Sequence, residues 1–256
     1  MTTAGVAPGR CRTTRVFTVL ELISRTRGAR LTQIADASGL PVTTTHRLLA
    51  ELVELGVIER RSEGYQIGSA LFDIAFRAPA RAELLAAVRP ALHDLYASTR
   101  ATLYLAILSG SAVSVMDVVG GGELSGIRVR SGDQLAAHAT AAGKCLLATA
   151  GSDTLPVKLE RLVPRTVTSS QVFAQQLQSV RALGYAVDVE EWQVGVASVA
   201  APVVSEGHVV GVVAVALPVH HFNPHRWGSQ VVNAARAASA RLASGRAHAD
   251  SRERVA

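Results

Sequence analysis

Residues 43–47 concentrate groups that can hydrogen-bond nucleic acid: three threonine hydroxyls, an imidazole and a guanidinium. Hydroxyl and imidazole groups can contact base edges, and arginine can bind both base edges and phosphate oxygens. Two further arginines, Arg60 and Arg61, stand beside a Ser-Glu-Gly turn, where they could neutralise a phosphate backbone. These residue types predict a DNA-binding surface, whose candidate members are Thr32, Gln33, Pro41, Thr43, Thr44, Thr45, His46, Arg47, Arg60 and Arg61.

The apolar residues around this surface predict two short helices joined by a tight turn. In the first helix, Ile34, Ala35 and Ala37 form an apolar face. Gly39 supplies the turn, and Pro41 has the fixed φ that suits the start of the second helix. The second helix has an inward-facing stripe at three- and four-residue spacing, made by Leu48, Leu49, Leu52 and Leu55.

A small β-hairpin, or wing, is predicted directly after the second helix, which Gly56 ends. Alternating apolar residues flank a turn at 62–64, so Arg60 and Arg61 are expected at the tip of the hairpin. The alternating residues are Val57, Ile58, Tyr65 and Ile67.

A purely structural helical hairpin is the alternative interpretation of two helices around a glycine, and within it Thr45 could point inward. The exposed polar face and the basic wing argue against that alternative. The N-terminal arm does so as well, because six arginines and one acidic residue precede Leu31. DNA binding accounts for all of these features together. An architectural or non-specific DNA-binding protein without a small-molecule effector remains the second candidate.

The excess of basic residues is uneven along the chain. The balance of Lys and Arg over Asp and Glu is +3 for residues 1–80, −1 for 81–225 and +4 for 226–256. The central part is therefore not a polyanion binder, and it is long enough for a core of its own. We expect a disordered arm at 1–12, a winged helix-turn-helix at 13–68, a linker helix at 69–81, a second domain at 82–245 and a disordered tail at 246–256.

Membrane insertion and secretion are not expected, and the prediction is a soluble, cytoplasmic protein. The N-terminus has no basic-then-apolar leader, and the longest apolar run, 209–219, is about half the length that a membrane helix needs. Cys11 and Cys145 lie in different settings, a polar arm and an apolar helix, and both are expected to be free thiols.

Catalysis and metal binding are also disfavoured. His138 and Cys145 could form a nucleophilic pair, but seven residues of helix would separate them by about 10 Å. The histidines near 220–225 lack a metal-ligand spacing. Lys144 lacks the glycine frame of a phosphate loop, and we expect it to bond nearby backbone. The sequence therefore predicts no enzyme, no metal site and no cofactor.

The second domain alternates helical and strand patterns, which predicts an α+β sandwich. Strands are predicted at 103–108, 113–119, 127–129, 186–189, 198–204 and 209–217. Helices are predicted from residue 70, at 82–99, 139–150, 156–162 and 170–183, and after Asn223-Pro224.

Four blocks in order resemble the isocitrate lyase regulator (IclR) family of bacterial transcription factors over residues 13–243. They are LTQIADASGLPVTTTHRLLAELVELGVIERR, AAHATAAGKCLLA, VPRTVTS and RALGYAVDVEEWQVGVASVAAPV. The resemblance implies an N-terminal winged helix-turn-helix, a helical linker used in dimerisation and a C-terminal GAF-like α/β effector-binding domain. The implied partners are double-stranded DNA, a small organic acid or related metabolite, and further copies in a homodimer or dimer of dimers.

The resemblance also implies an effector pocket between the sheet and the helix of the HATAAGK block. Ala141 and Ala142 stand near the N-terminus of that helix, where free N–H groups favour a carboxylate. Beside such a ligand, the Asp188 carboxylate would need a proton or a bridging donor. Two alternatives are that Asp188 binds a hydroxyl or amine of the ligand, or that it only caps the end of a strand. The implied lining is Met116, Leu135, Ala141, Ala142, Asp188, Ser198, Ala214 and Ala216.

Three of these positions depart from the family pattern. Ser198 stands where cysteine is common, and Ala214 and Ala216 stand where serines are often found. Each missing hydroxyl would cost a charged ligand about 1.5–3 kcal/mol. We therefore expect a larger or more apolar effector, such as an aromatic or short acyl acid.

Overall fold

The computed structural model describes residues 11–26, 28–76, 79–121, 126–150 and 159–253. The chain divides into two compact units between Pro79 and Ala80, inside the predicted linker. Among the described residues, no helix has the length and apolar character needed to cross a bilayer. Most of the predicted N-terminal arm, residues 1–10, lies outside the described residues.

The first unit is a winged helix-turn-helix, as predicted, with one further helix at each end. Its elements are α1 (Arg12–Ser24), α2 (Leu31–Ser38), α3 (Val42–Glu54), β1 (Ile58–Arg61), β2 (Gly64–Ile67) and α4 (Ser69–Phe76). Helix α1 was not predicted from the sequence, although its residues Val19 and Ile23 are fully buried. They pack with Ile34 of α2, Leu49 of α3 and Ile58 of β1 into one core.

The turn between α2 and α3 needs glycine. Gly39 has a φ of 66°, the left-handed region that side chains with a Cβ rarely adopt, and its N–H caps α2 by bonding carbonyls of the last turn. The buried stripe of α3 is shorter than predicted, because Leu55 lies beyond the last helical residue and is 67% exposed. Ala37 is also exposed, so the apolar face of α2 is formed by Ile34 and Ala35.

The wing is an antiparallel pair in which Arg61 lies opposite Gly64 and Arg60 opposite Tyr65. An isolated bridge between Ala29 and Tyr65 attaches this hairpin to the segment before α2. The two arginines therefore stand at the turn end of the hairpin, close to the point where Tyr65 anchors it, which confirms the predicted wing.

The second unit is built on one six-stranded sheet in which every neighbouring pair is antiparallel. Its helices are α5 (Pro79–Thr99), α6 (Ala141–Thr149), α7 (Ser170–Leu183) and α8 (Pro224–Glu253). Its strands are β3 (Thr102–Ser109), β4 (Ala112–Val119), β5 (Gln134–Ala136), β6 (Ala186–Val189), β7 (Val196–Ser205) and β8 (His208–Pro218). The strand order is β5-β4-β3-β8-β7-β6.

Each face of the sheet has its own apolar core. On one face, α6 and α7 pack against side chains such as Tyr104 and Ala214. On the other face, α5 and α8 pack against side chains such as Leu105 and Val213. Alternating residues of the central strands β3 and β8 point to opposite cores, as the period of a strand requires. The predicted α+β sandwich is confirmed.

Several predicted elements differ in the structure. Residues 127–129 form no strand. The Arg128 N–H donates to the side-chain oxygen of Gln193 and not to a carbonyl oxygen of a neighbouring strand. Residues 159–162 are not helical, and 156–158 lie outside the described residues. A short 3-10 turn at Ala137–Ala139 delays the start of α6 to Ala141. The terminal helix continues to Glu253, so residues 246–253 have a helical backbone where a disordered tail was predicted.

Candidate DNA-binding surface and effector site

Helix α3 presents opposite chemistry on its two faces. Thr43, His46 and Arg47 are exposed and share one side at three- and four-residue spacing. The other side consists of buried residues, namely Thr45, Leu48, Leu49 and Leu52. Because the buried stripe fixes the rotation of the helix, the polar side chains are held outward together.

Thr45 does not belong to the exposed surface, and its inclusion among the candidate DNA contacts was wrong. Its side chain is fully buried, and its hydroxyl donates to the Pro41 carbonyl oxygen at 3.1 Å. The hydroxyl satisfies the backbone within the first turn of α3 and faces the domain core. Its neighbour Thr44 is half-buried, whereas Pro41 is exposed.

Helix α2 contributes the exposed residue Gln33 and, beside it, Thr32. The side-chain oxygen of Gln33 accepts the Arg30 N–H at 2.9 Å, which holds the first turn of the helix. The amide nitrogen of Gln33 keeps its two donor hydrogens for another acceptor.

The wing arginines differ in their local partners. Arg60 is exposed and, among the described residues, forms no salt bridge, and the same holds for Arg47 of α3. Arg61 forms a surface ion pair with Glu59 on its own strand. Such exposed pairs contribute little stability, so a phosphate could replace Glu59 at small cost.

In the second unit, one row across the sheet brings together three of the eight predicted effector-site residues. Asp188 of β6 pairs with Ser198 of β7, which pairs with Ala216 of β8, and Ala216 faces Thr102 of β3. All four residues are buried. The predicted members that lie with Ala216 in the core beneath α6 and α7 are Leu135, Ala141, Ala142 and Ala214.

Met116 lies on the other face of the sheet, so its inclusion in the predicted pocket was wrong. The pairing of β3 with β4 shifts between Leu105 and Ala106, which leaves Met116 as an extra residue on β4. Val113 and Val115 of the same strand belong to the core beneath α6 and α7, so Met116, the next residue, faces the core of α5 and α8. Strand alternation alone could not reveal the bulge from the sequence.

Asp188 is held by two hydrogen bonds. Ser198 donates its hydroxyl to one carboxyl oxygen at 2.9 Å, and the Glu191 N–H donates to the other at 2.8 Å. Burial raises the pKa of Asp188 to about 6, while the Glu191 N–H and the Lys144 charge act in the opposite direction. The carboxyl therefore takes up its proton at a higher pH than an ordinary aspartate does.

A buried ion pair between Lys144 of α6 and Glu191 adjoins this row, and it was not predicted from the sequence. Lys144 also donates to the Val187 carbonyl oxygen at 3.3 Å, in line with its predicted backbone bond. The second carboxylate oxygen of Glu191 and the side-chain oxygen of Gln176 are buried without a hydrogen-bond partner among the described residues. Nothing local in the sequence pairs residues 144 and 191; only the fold brings them together.

The N-terminus of α6 is tightly packed. Thr140 caps it by accepting the Gly143 N–H at 3.2 Å, and a Cβ at Gly143 would lie 2.1 Å from the Ala137 carbonyl oxygen. Ala141 and Ala142 fill the first turn of the helix and are fully buried.

His138 and Cys145 show no catalytic arrangement. His138 lies in the 3-10 turn before α6, and its Nε2 is 2.8 Å from the Glu160 carbonyl oxygen. Burial raises the pKa of Cys145 to about 12, so the thiol stays protonated and unreactive. Within the part of the chain that the structure describes, no group of three or more His, Cys, Asp or Glu side chains could hold a metal.

Both units of the chain are similar to known proteins. The model for the bacterial transcriptional regulator IclR C-terminal domain matches residues 76–244, and that for the IclR helix-turn-helix domain matches 13–62. The transcriptional regulator BhcR of Paracoccus denitrificans is 31% identical over 196 residues, which cover 74% of this chain and 70% of BhcR. The regulator KdgR of Escherichia coli is 26% identical over 239 residues, 89% of this chain and 91% of KdgR.

Among solved structures, an IclR homolog from Microbacterium hydrocarbonoxydans complexed with 4-hydroxybenzoate superposes with a TM-score of 0.82. It is 26% identical to this chain, and the match covers 90% of this chain and 98% of the homolog. The family models together span both units, and the structural match extends over nearly the whole homolog. The chain belongs to the IclR family of bacterial transcriptional regulators.

Proposed function

We propose that this protein is a ligand-responsive regulator that binds a pseudo-palindromic operator through α3 and the wing, and that its second unit senses a small organic metabolite. The observation that carries the proposal is the two-sided surface of α3. Thr43, His46 and Arg47 project from a helix whose other side is locked into the core. A helix fixed in this way can enter a major groove with a defined rotation.

Each DNA-binding element has a separate role in this proposal. Thr43 and His46, at the start of α3, read base edges, whereas Arg47, Arg60 and Arg61 bind phosphates. Phosphate contacts position the protein on any sequence, and base contacts select one sequence. Thr32 and Gln33 of α2 add contacts to the backbone beside the groove.

We further propose that the working form is a homodimer or a dimer of dimers in the cytoplasm. A pseudo-palindromic operator matches a two-fold protein, and the resemblance assigns dimerisation to the helical linker. On α4, Phe72 is 59% exposed and Ile74 is 65% exposed, which leaves an apolar surface available for a second copy.

The effector proposed for the second unit is an aromatic or short acyl acid. The buried row contains the carboxyl of Asp188 and the hydroxyl of Ser198, but Ala214 and Ala216 give the floor an apolar character. Lys144 is neutralised by Glu191. These features disfavour a very small, highly charged acid, and 4-hydroxybenzoate, found in the structural neighbour, is a suitable first probe. The protein is proposed to sense this ligand and not to transform it.

Selection of DNA from a random duplex pool, followed by footprinting, tests the proposal. We expect a protected pseudo-palindrome with half-sites about one or two helical turns apart. We also expect one metabolite to change the affinity for that site. Uniform, sequence-indifferent coverage would instead support the architectural DNA-binding alternative and refute a regulator.

A further inference from the structure

The two central strands of the sheet, β3 and β8, separate at one end. Their pairing stops at Ala106 and Val212, and from there β3 continues along β4 while β8 continues along β7. At the same point Val210 is an extra residue in the pairing of β7 with β8, and a bulge of this kind bends its strand. We call the gap between residues 107–108 of β3 and 209–210 of β8 the fork.

An apolar cavity of about 310 Å³ lies in the fork. Leu146 of α6 lines it from one face of the sheet, and Leu84 of α5 and Leu242 of α8 line it from the other face. Each of these three leucines is at most 5% exposed. The four strand residues of the fork complete the apolar walls. The cavity therefore borders both apolar cores of the second unit.

The size and lining of this cavity suit an organic ligand. Protein interiors contain few voids larger than a water molecule, and water finds few polar partners between leucine and valine side chains. Pockets for small molecules have volumes from about 300 Å³ upward and mostly apolar walls. A purely structural sandwich would gain stability if continued strand pairing or a larger side chain at Val210 closed the gap.

The charge at the open side of the cavity narrows the choice of ligand. Arg81, in the first turn of α5, is the one charged side chain among the described residues that line the cavity, and it is exposed, as is Ala80. Within the part of the chain that the structure describes, Arg81 forms no salt bridge. A free guanidinium beside apolar walls is complementary to a molecule with a hydrocarbon body and one anionic end.

We propose that the fork is a binding site for a medium-chain fatty acid, with the hydrocarbon chain between β3 and β8 and the carboxylate at Arg81. The site shares no residue with the candidate DNA-binding surface or the candidate effector site, so the inference depends on neither. The second unit begins at Ala80. A fatty acid in the fork would therefore contact the first residues of this unit.

The first test is calorimetric titration of the wild-type chain with octanoate. We expect saturable binding, and at saturation octanoate should raise the melting temperature by roughly 3 °C or more. Butyrate should bind about tenfold more weakly or less, because its shorter chain leaves most of the apolar wall uncovered. Failure of octanoate to bind, as expected if a second copy of the chain covers the fork, would overturn the inference. Equal affinities for octanoate and butyrate would do so as well.

Two variants locate the bound octanoate. Arg81→Glu should weaken the binding of octanoate about tenfold but leave that of 1-octanol, which has the same chain and no charge, unchanged. Arg236→Glu, which makes the same charge change at an exposed position of α8, is the matched control and should bind octanoate as the wild type does. Val210→Phe should fill the fork and weaken the binding of both ligands about tenfold or more.

Undiminished affinity of Arg81→Glu for octanoate would overturn the inference, as would an equal loss in Arg236→Glu, which would show only a general effect of charge. Undiminished affinity of a folded Val210→Phe would place the ligand outside the fork and would also refute it. If Val210→Phe does not fold, Arg81→Glu still decides the question, because its substitution lies on the surface.

Discussion

Replacing Asp188 by asparagine should remove a pH dependence of stability that the buried carboxyl imposes. The folded protein raises the pKa of this group from its ordinary value of 3.8 to about 6, mainly through burial. Below pH 3.8 both the folded and the unfolded chain hold this proton, so the carboxyl does not make the free energy of unfolding depend on pH. As the pH rises through this window, the unfolded chain releases its proton first, and stability falls by about 3 kcal/mol in total.

The asparagine of the Asp188→Asn variant could keep both hydrogen bonds, because its carbonyl oxygen accepts the Glu191 N–H and its amide can donate to Ser198. We therefore expect Asp188→Asn to match the wild type near pH 4 and to be more stable above about pH 6. The free energy of unfolding at each pH can be measured by urea unfolding followed by tryptophan fluorescence, since Trp192 and Trp227 both lie in the second unit. Asp73→Asn, at an exposed position on α4, serves as the control.

Parallel stability profiles of the wild type and Asp188→Asn between about pH 4 and pH 7 would refute this explanation. A larger stability of the wild type above about pH 6 would contradict the sign of the effect. In that case the ionised form of Asp188 would be the favoured one in the folded protein.

Four further changes test other parts of the structure. Arg47→Ala should weaken binding to all duplexes and reduce the slope of log affinity against log salt by roughly one unit, measured by fluorescence anisotropy; an unchanged slope would exclude a phosphate contact. Thr45→Val should lower stability in thermal melts but leave sequence preference unaltered, because the hydroxyl is buried; a changed preference would mean that Thr45 faces DNA. Lys144→Met should lower the free energy of unfolding, measured in urea, by about 3–5 kcal/mol, because it leaves the buried Glu191 carboxylate without its partner. The double variant Lys144→Met, Glu191→Leu should recover the lost stability, and a single variant as stable as the wild type would contradict the buried ion pair. Gly143→Ala should also destabilise the second unit in the same assay, because no Cβ fits beside Ala137; a neutral effect would contradict the close packing of α6.

The DNA-binding unit was largely predictable because its signals are local. The turn at Gly39, the stripe of α3 and the hairpin after Gly56 each depend on residues close in sequence. The exception was Thr45, whose polarity suggested exposure although its place in the helical period favours the core. Helix α1 was missed because no capping signal marks its start at Arg12.

The candidate effector site was less predictable because it depends on long-range pairing. The row from Asp188 to Thr102 arises from the strand order of the sheet, which no local pattern specifies. The bulge beside Met116 has no local sequence signal, and the bond between Lys144 and Glu191 joins two distant segments.

The exposed side of α3 is the surface proposed to read DNA sequence. The most direct measurement compares the duplexes enriched from a random pool by the wild type and by the double variant Thr43→Ala, His46→Ala. We expect the wild type to enrich one pseudo-palindrome and the double variant to enrich a different or degenerate sequence with its nonspecific affinity retained. Enrichment of the same sequence by both proteins would contradict the claim, as would a folded wild type that enriches none.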